Sequence, residues 1–387
     1  MEQSSIPHHL GKDIDWAVEI KNNDLEWNLM LNRHSYWIDL GRAYWLTGEE
    51  KYVKEWSEQL HSFKEQTQAH PAFTWRDLQV GVRVFNWIKT FYYILSWPGL
   101  TPQTFFAFMD SLHEHGRHLY EKNNKYCGNW AFFISAGLAN ISLMFPEFKD
   151  SPEWGRAATD RLIYLLNSEL FPDGNLKELS PLYHNMVVMC LFEYLYLSKL
   201  NNSVLPSIFY EKLEKMIEAD MYLAMPDGTI PCVGDSDNFD VRDWLTAGAI
   251  LFKRKDFKFS GHRDLDYSNL WYFGKEGLEK HESLNSEQPP RTCRHFEDSN
   301  WCVMRDSWLN KARYLFFNVS DLNKASVGAT HSHADSLAII VHSFGRSLLA
   351  DPGWYVYFDT FQKIIRIFGR FYLVLYGIKA LLFQFLF

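Results

Sequence analysis

The 387-residue chain has no basic surplus: 39 Lys and Arg stand against 47 Asp and Glu, a formal net charge of −8. That excludes a general nucleic-acid binder, which needs cations to neutralise phosphates. It still allows an acidic polymer, provided Arg and His concentrate in one cleft. Cysteine is sparse. Cys127, Cys190, Cys232, Cys293 and Cys302 are odd in number and form no Cys-x-x-Cys pair. Buried free thiols fit this pattern better than a disulfide framework or a thiolate metal site. The opening Met1-Glu-Gln-Ser-Ser-Ile-Pro7 is polar and has no apolar export-signal core. No clear membrane partner is expected, and the sequence carries no signal for oligomeric state.

Aromatics are abundant, with 15 Trp, 20 Tyr and 30 Phe. Such rings either fill a core or line a groove that stacks on sugars. Apolar periodicity then sets the architecture. Trp37, Leu40 and Tyr44 make one helical face, stopped at Thr47-Gly48. Val84, Trp87, Ile88, Phe91 and Leu95 make another, ended by Pro98-Gly99. Helices recur to about Leu270. The loops Phe171-Pro-Asp-Gly174 and Met225-Pro-Asp-Gly228 echo each other, which suggests stacked helical hairpins in a superhelix or closed toroid. A polar linker with Pro289-Pro290 follows. Beyond it, Trp301–Arg305, Tyr314–Val319, Ala334–Phe344 and Ser347–Leu349 read as strands, with Asp351-Pro-Gly353 as a turn. The expected architecture is a multidomain α and β chain. An incomplete α/α toroid spans 1–284, a partial antiparallel β-sandwich 285–360, and an apolar tail 361–387 that reads as a non-native end.

Three stretches carry candidate chemistry. In Ser180-Pro-Leu-Tyr-His184, Ser180 suits an N-cap and Pro181 the first helical position. Tyr183 and His184 then fall in the first turn, where the helix dipole favours an anion. In His331-Ser-His-Ala-Asp335, strand alternation would put His331, His333 and Asp335 on one face, for a metal or for proton transfer. Asp351 could add a hard ligand to a cation held by His333. In Gly128-Asn-Trp130, Asn129 is either a helix cap or an amide donor to a carboxylate. Arg83, alone in an apolar helix, is either paired inside or aimed into a cleft. Asp173 and Asp235 leave a glycoside hydrolase open as an alternative.

Taken together, Asn32-Arg-His-Ser-Tyr-Trp-Ile-Asp39, Gly81-Val-Arg83, Gly128-Asn-Trp130, Pro172-Asp-Gly174, Glu178-Leu-Ser-Pro-Leu-Tyr-His184, Gly234-Asp-Ser-Asp237, His331-Ser-His-Ala-Asp335 and Asp351-Pro-Gly353 resemble the heparinase II/III family of polysaccharide lyases. The family's relatives include oligoalginate lyases. The resemblance implies an α/α toroid, a β-sandwich and a cleft site for an acidic polysaccharide cleaved by β-elimination. It implies Asn129, Tyr183 and His331 as catalytic residues, with Arg83, Trp130 and His184 as substrate-binding ones. It also implies a structural zinc on His333 and Asp351, and a periplasmic or secreted location. Trp130 stands where many members have His, and the segment carrying the third zinc ligand is replaced by the apolar tail. An inactive, truncated family member is therefore a further alternative.

Overall fold

The computed structural model describes residues 9–18, 25–70, 73–321, 324, 331, 333 and 335–353. The expected apolar tail, 361–387, lies outside them. The chain divides into two compact units, Met1–Leu165 with Glu193–Leu205, and Leu166–Phe192 with Pro206–Phe387.

The first unit contains α1 (Leu25–Leu31), α2 (Tyr36–Thr47), α3 (Lys51–Gln66), α4 (Asp77–Ile94), α5 (Pro102–Lys122), α6 (Gly128–Met144) and most of α7 (Ser151–Ser168). Helix α2 stops where expected. Gly48 takes φ 70° and returns its N–H to Tyr44 O at 2.8 Å, a left-handed glycine cap. Helix α5 starts on Thr101, whose hydroxyl accepts from Thr104 N–H at 3.1 Å, with Pro102 in the first turn. Helices α4 and α6 cross closely because Gly81 has no side chain: a Cβ there would meet the Phe133 carbonyl at 3.0 Å. The aromatic excess builds this unit's core. Trp16, Trp37, Trp56 and Trp87 are fully buried, each contributing about 2–3 kcal/mol by burial. Trp37 stacks on His34 at 4.2 Å, and Trp87 Nε1 donates to His34 Nδ1 at 2.9 Å.

Helix α8 (Pro181–Leu200) starts in the second unit, which also holds α9 (Ser207–Leu223), α10 (Arg242–Phe252), α11 (Lys255–Ser260) and α12 (Tyr267–Ser283). The two Pro-Asp-Gly loops are one turn used twice. Gly174 (φ 100°) donates to Phe171 O at 3.1 Å, and Gly228 (φ 89°) to Met225 O at 2.9 Å. In each, the Asp carboxylate accepts the N–H two residues on, at 3.1 Å for Asp173 and 3.0 Å for Asp227.

Among the described residues five strands follow: β1 (Arg294–Phe296), β2 (Trp301–Arg305), β3 (Tyr314–Asn318), β4 (Ile339–Ser343) and β5 (Arg346–Leu349). They pair antiparallel in chain order. Alternation sends Trp301, Val303, Tyr314 and Phe316 inward, whereas β5 is exposed along its length. One expectation is corrected. The strand foreseen over 334–344 begins only at Ile339, so His331 and His333 are not strand residues and do not owe their meeting to strand alternation.

Candidate active site

Ser180 caps α8 as expected, but its surroundings go further. The Ser180 Oγ–H donates to Asp235 O at 2.9 Å and the oxygen faces Tyr183 N–H at 3.4 Å. Ser236 Oγ accepts from Leu182 N–H at 3.1 Å. The first N–H groups of the helix are thus satisfied by hydroxyls, and the helix end is not an open anion seat. The cap also pins the 234–236 loop beside Tyr183.

That loop brings the histidines in. Asp235 N–H donates to His331 O at 2.8 Å, and Gly234 N–H to Asp335 Oδ2 at 2.6 Å. Gly234 has φ 62°, and a Cβ on it would meet His331 O at 2.5 Å, so the approach requires glycine. The Asp235 carboxylate then takes both imidazoles: His331 Nδ1 at 3.0 Å on Oδ2, and His333 Nε2 at 2.6 Å on Oδ1. Burial alone would raise the Asp235 carboxyl, but the two imidazole hydrogen bonds outweigh it and hold the group below the usual carboxylate range. A carboxylate on Nδ1 fixes that nitrogen as the proton-bearing one and leaves the acceptor lone pair on Nε2. The His331 ring stacks on Tyr183 with centroids 3.7 Å apart and planes 23° apart. A phenol and an oriented imidazole, side by side and partly open, are equipped to move protons.

Other candidates stand elsewhere. His184 is buried: its Nδ1 accepts from Leu176 N–H at 3.2 Å and its Nε2 donates to Met216 O at 3.1 Å. Burial pushes its pKa down to about 4. The expectation that His184 binds substrate is corrected: buried, uncharged and bonded through both ring nitrogens, it is a structural residue. Arg83 in the first unit is corrected likewise. It has no exposed surface and donates to His115 Nε2 at 2.9 Å, Asn32 O at 2.9 Å and Thr74 O at 2.8 Å. Of the two readings left open for it, the inward one holds. Asn129, also in the first unit, is buried at the second position of α6, so it is not the cap; Cys127 occupies that place. Trp130 is half-buried, with the Arg76 guanidinium 4.9 Å from its ring.

The hydrolase alternative loses its acids. Asp173 Oδ2 accepts from Asp298 N–H, Ser299 N–H and Ser299 Oγ at 2.8–3.1 Å, tying down a loop, and Asp235 is engaged by two histidines. His333 and Asp351 do not form a three-ligand set among the described residues. Asp351 Oδ1 instead accepts from Gly353 N–H at 2.9 Å, closing the expected turn. Zinc is therefore a poor fit to these two residues alone. A three-residue group that could hold a metal occurs elsewhere, in Asp243, His262 and Asp266. The cysteines are all free as expected, although only Cys190 is buried. Sequence reasoning singled out Asp235 for the wrong chemistry; its backbone link to His331 spans 96 residues and leaves no local signal.

Helical hairpins followed by an antiparallel sheet define the α/α-toroid plus β-sandwich class. A heparinase III crystal structure shares this fold at a TM-score of 0.78 and 22% identity, over 92% of this chain and 55% of that one. A heparan sulfate lyase structure from Pedobacter heparinus aligns at 0.65 and 23% identity, over 91% and 53%. The family model Heparinase II/III N-terminus matches residues 2–259, and Heparinase II/III-like, C-terminal matches 288–370; the chain belongs to the heparinase II/III family. Among curated relatives, heparin-sulfate lyases from Pedobacter heparinus and Bacteroides stercoris are each 26% identical over 90% of this chain. The chain spans about half the length of these relatives, 50% and 52%. Among the described residues no helix is long and apolar enough to cross a membrane.

Proposed function

We propose that the protein is a polysaccharide lyase that cleaves a uronic-acid-containing polymer, of heparan-sulfate or alginate type, by β-elimination. The carrying observation is the Tyr183–His331 stack with Asp235 bonded to Nδ1 of the imidazole. Family membership supports the reaction class, and the heparin-sulfate lyases among the relatives support an acidic polysaccharide as substrate.

The C5 hydrogen of a 4-linked uronate is α to a carboxylate and only weakly acidic while that carboxylate keeps its charge. In this reading a hydrogen-bond donor neutralises the carboxylate and stabilises the enolate-like transition state, a role that the family resemblance gives to Asn129. Tyr183 and His331 share the proton work. One removes the C5 proton, the C5 electron pair forms the C4–C5 double bond, the C4–O4 bond breaks, and the other returns a proton to O4. His331 acts through Nε2, because Nδ1 is held by Asp235. The face on which the sugar presents its C5 hydrogen decides which residue is the base. No step runs through a metal: zinc on His333 and Asp351 would need a third ligand that the described residues do not supply. A periplasmic or secreted location belongs to the same reading, since such polymers lie outside the cytoplasm.

The test is the rise in ultraviolet absorbance that an unsaturated product gives across a panel of uronate polymers. Tyr183→Phe should keep the fold and lower the rate roughly 10²–10⁴-fold. Full activity in that variant would remove Tyr183 from the mechanism, and saturated products would remove the lyase reading.

A further inference from the structure

We propose that Arg76, Lys125, Tyr126 and Trp130 of the first unit form a binding site for one anionic sugar residue of the polymer. The inference rests on the substrate class given above. It starts from Arg76, which precedes α4 in an extended conformation (φ −60°, ψ 131°) and lays its guanidinium on the Trp130 ring at 4.9 Å. Among the described residues no carboxylate lies within ion-pair distance of it, in a chain with a net charge of −8. Stacking on an aromatic face fixes the plane of a guanidinium and leaves its N–H edge free for a carboxylate or sulfate.

The neighbours make this more than a packing pair. Tyr126 lies 5.2 Å from Trp130, at 48°, giving two adjoining aromatic faces of the kind that stack on sugar rings. Lys125, with 54% of its side chain exposed, sits 4.9 Å over the Tyr126 ring. The acidic group in contact among the described residues, Asp77, is already satisfied by Tyr126 OH at 2.5 Å, His118 Nε2 at 2.8 Å and Lys125 Nζ at 3.2 Å. Lys125 is thus paired with Asp77, and Arg76 adds a second cation beside them, so the charge balance of this group is positive on an acidic protein. A forked donor beside a ring platform matches a sugar that carries a planar carboxylate or a sulfate.

Calorimetric titration of the full chain tests this, in a Tyr183→Phe background so that ligand is not consumed. The probes are a heparan-sulfate hexasaccharide and its desulfated counterpart. Arg76→Ala should weaken binding about tenfold, and Arg76→Lys should restore only part of it, because an ammonium cannot stack and fork at once. Circular dichroism should show each variant folded. Loss with both probes identifies the carboxylate as the group bound; loss with the sulfated probe alone identifies sulfate. Unchanged affinity for both, or no binding by the unsubstituted site, overturns the proposal. The lyase reading fails separately, when the wild type yields no unsaturated product.

Discussion

The two units use the same residue types for opposite ends. In the first, Arg83, His115 and His34 are enclosed. Arg83 donates to His115 at 2.9 Å, His115 Nδ1 bonds Ser111 O at 2.6 Å, and burial pushes the Arg83 guanidinium down to about 9 while keeping both imidazoles well below their ordinary range. These groups join helices and are closed to a substrate. In the second, His331 and His333 share one carboxylate and keep 14% and 16% of their side chains exposed, with a tyrosine ring on one face. What separates scaffold from candidate chemistry is therefore access, not composition.

The sharpest way to break the contrast is to remove Arg83. Arg83→Met leaves two carbonyls and an imidazole nitrogen buried without their donor, at a cost of about 3–5 kcal/mol. Chemical denaturation should show that loss, while activity per folded molecule stays unchanged. A large loss of activity with full stability would return Arg83 to the substrate site.

Acid should come next. His34, His115 and His184 are all held below their ordinary value by burial, His184 at about 4 against 6.5. For His184, between those values the unfolded chain binds more protons, so its contribution is complete above about pH 6.5 and is lost as pH falls towards 4; His34 and His115 act in the same direction. For His184 alone this is of order 3 kcal/mol. Asp220, raised by burial, opposes the trend because the fold takes up its proton first. Melting temperatures across this range should fall with pH, and His184→Gln should flatten the slope.

The smallest effect concerns orientation. Asp235→Asn keeps a hydrogen-bonding side chain but no longer fixes the His331 tautomer. It should lower kcat roughly 10- to 100-fold with little change in KM. A change confined to KM would make Asp235 a substrate contact instead.

Local chemistry was legible in the sequence. The Thr47-Gly48 stop, the Ser180-Pro181 start and both Pro-Asp-Gly turns were placed correctly, because each rests on backbone preferences within a few residues. Long-range placement was not. The alternation in His331-Ser-His333 imitates a strand, yet neither histidine is a strand residue: Asp235 N–H holds His331 O, and Gly234 N–H holds the Asp335 carboxylate. The position of His184 invited a ligand role, but Leu176 and Met216 close over it. Arg83 looked equally suited to inside and cleft, and only the surrounding carbonyls of Asn32 and Thr74 decide.

Both Pro-Asp-Gly turns reach the sheet: Asp173 holds the Ser299 loop, and Asp227 lies 3.6 Å from His342 on β4. Arg305 and Tyr314 add bonds from β2 and β3 to the carbonyls of Tyr222, Leu223 and Ala224. Severing the chain at the Pro289-Pro290 linker would strip each fragment of partners it needs to stay folded. A protease nick there should leave the halves associated, melting together in one transition and not as two independent modules.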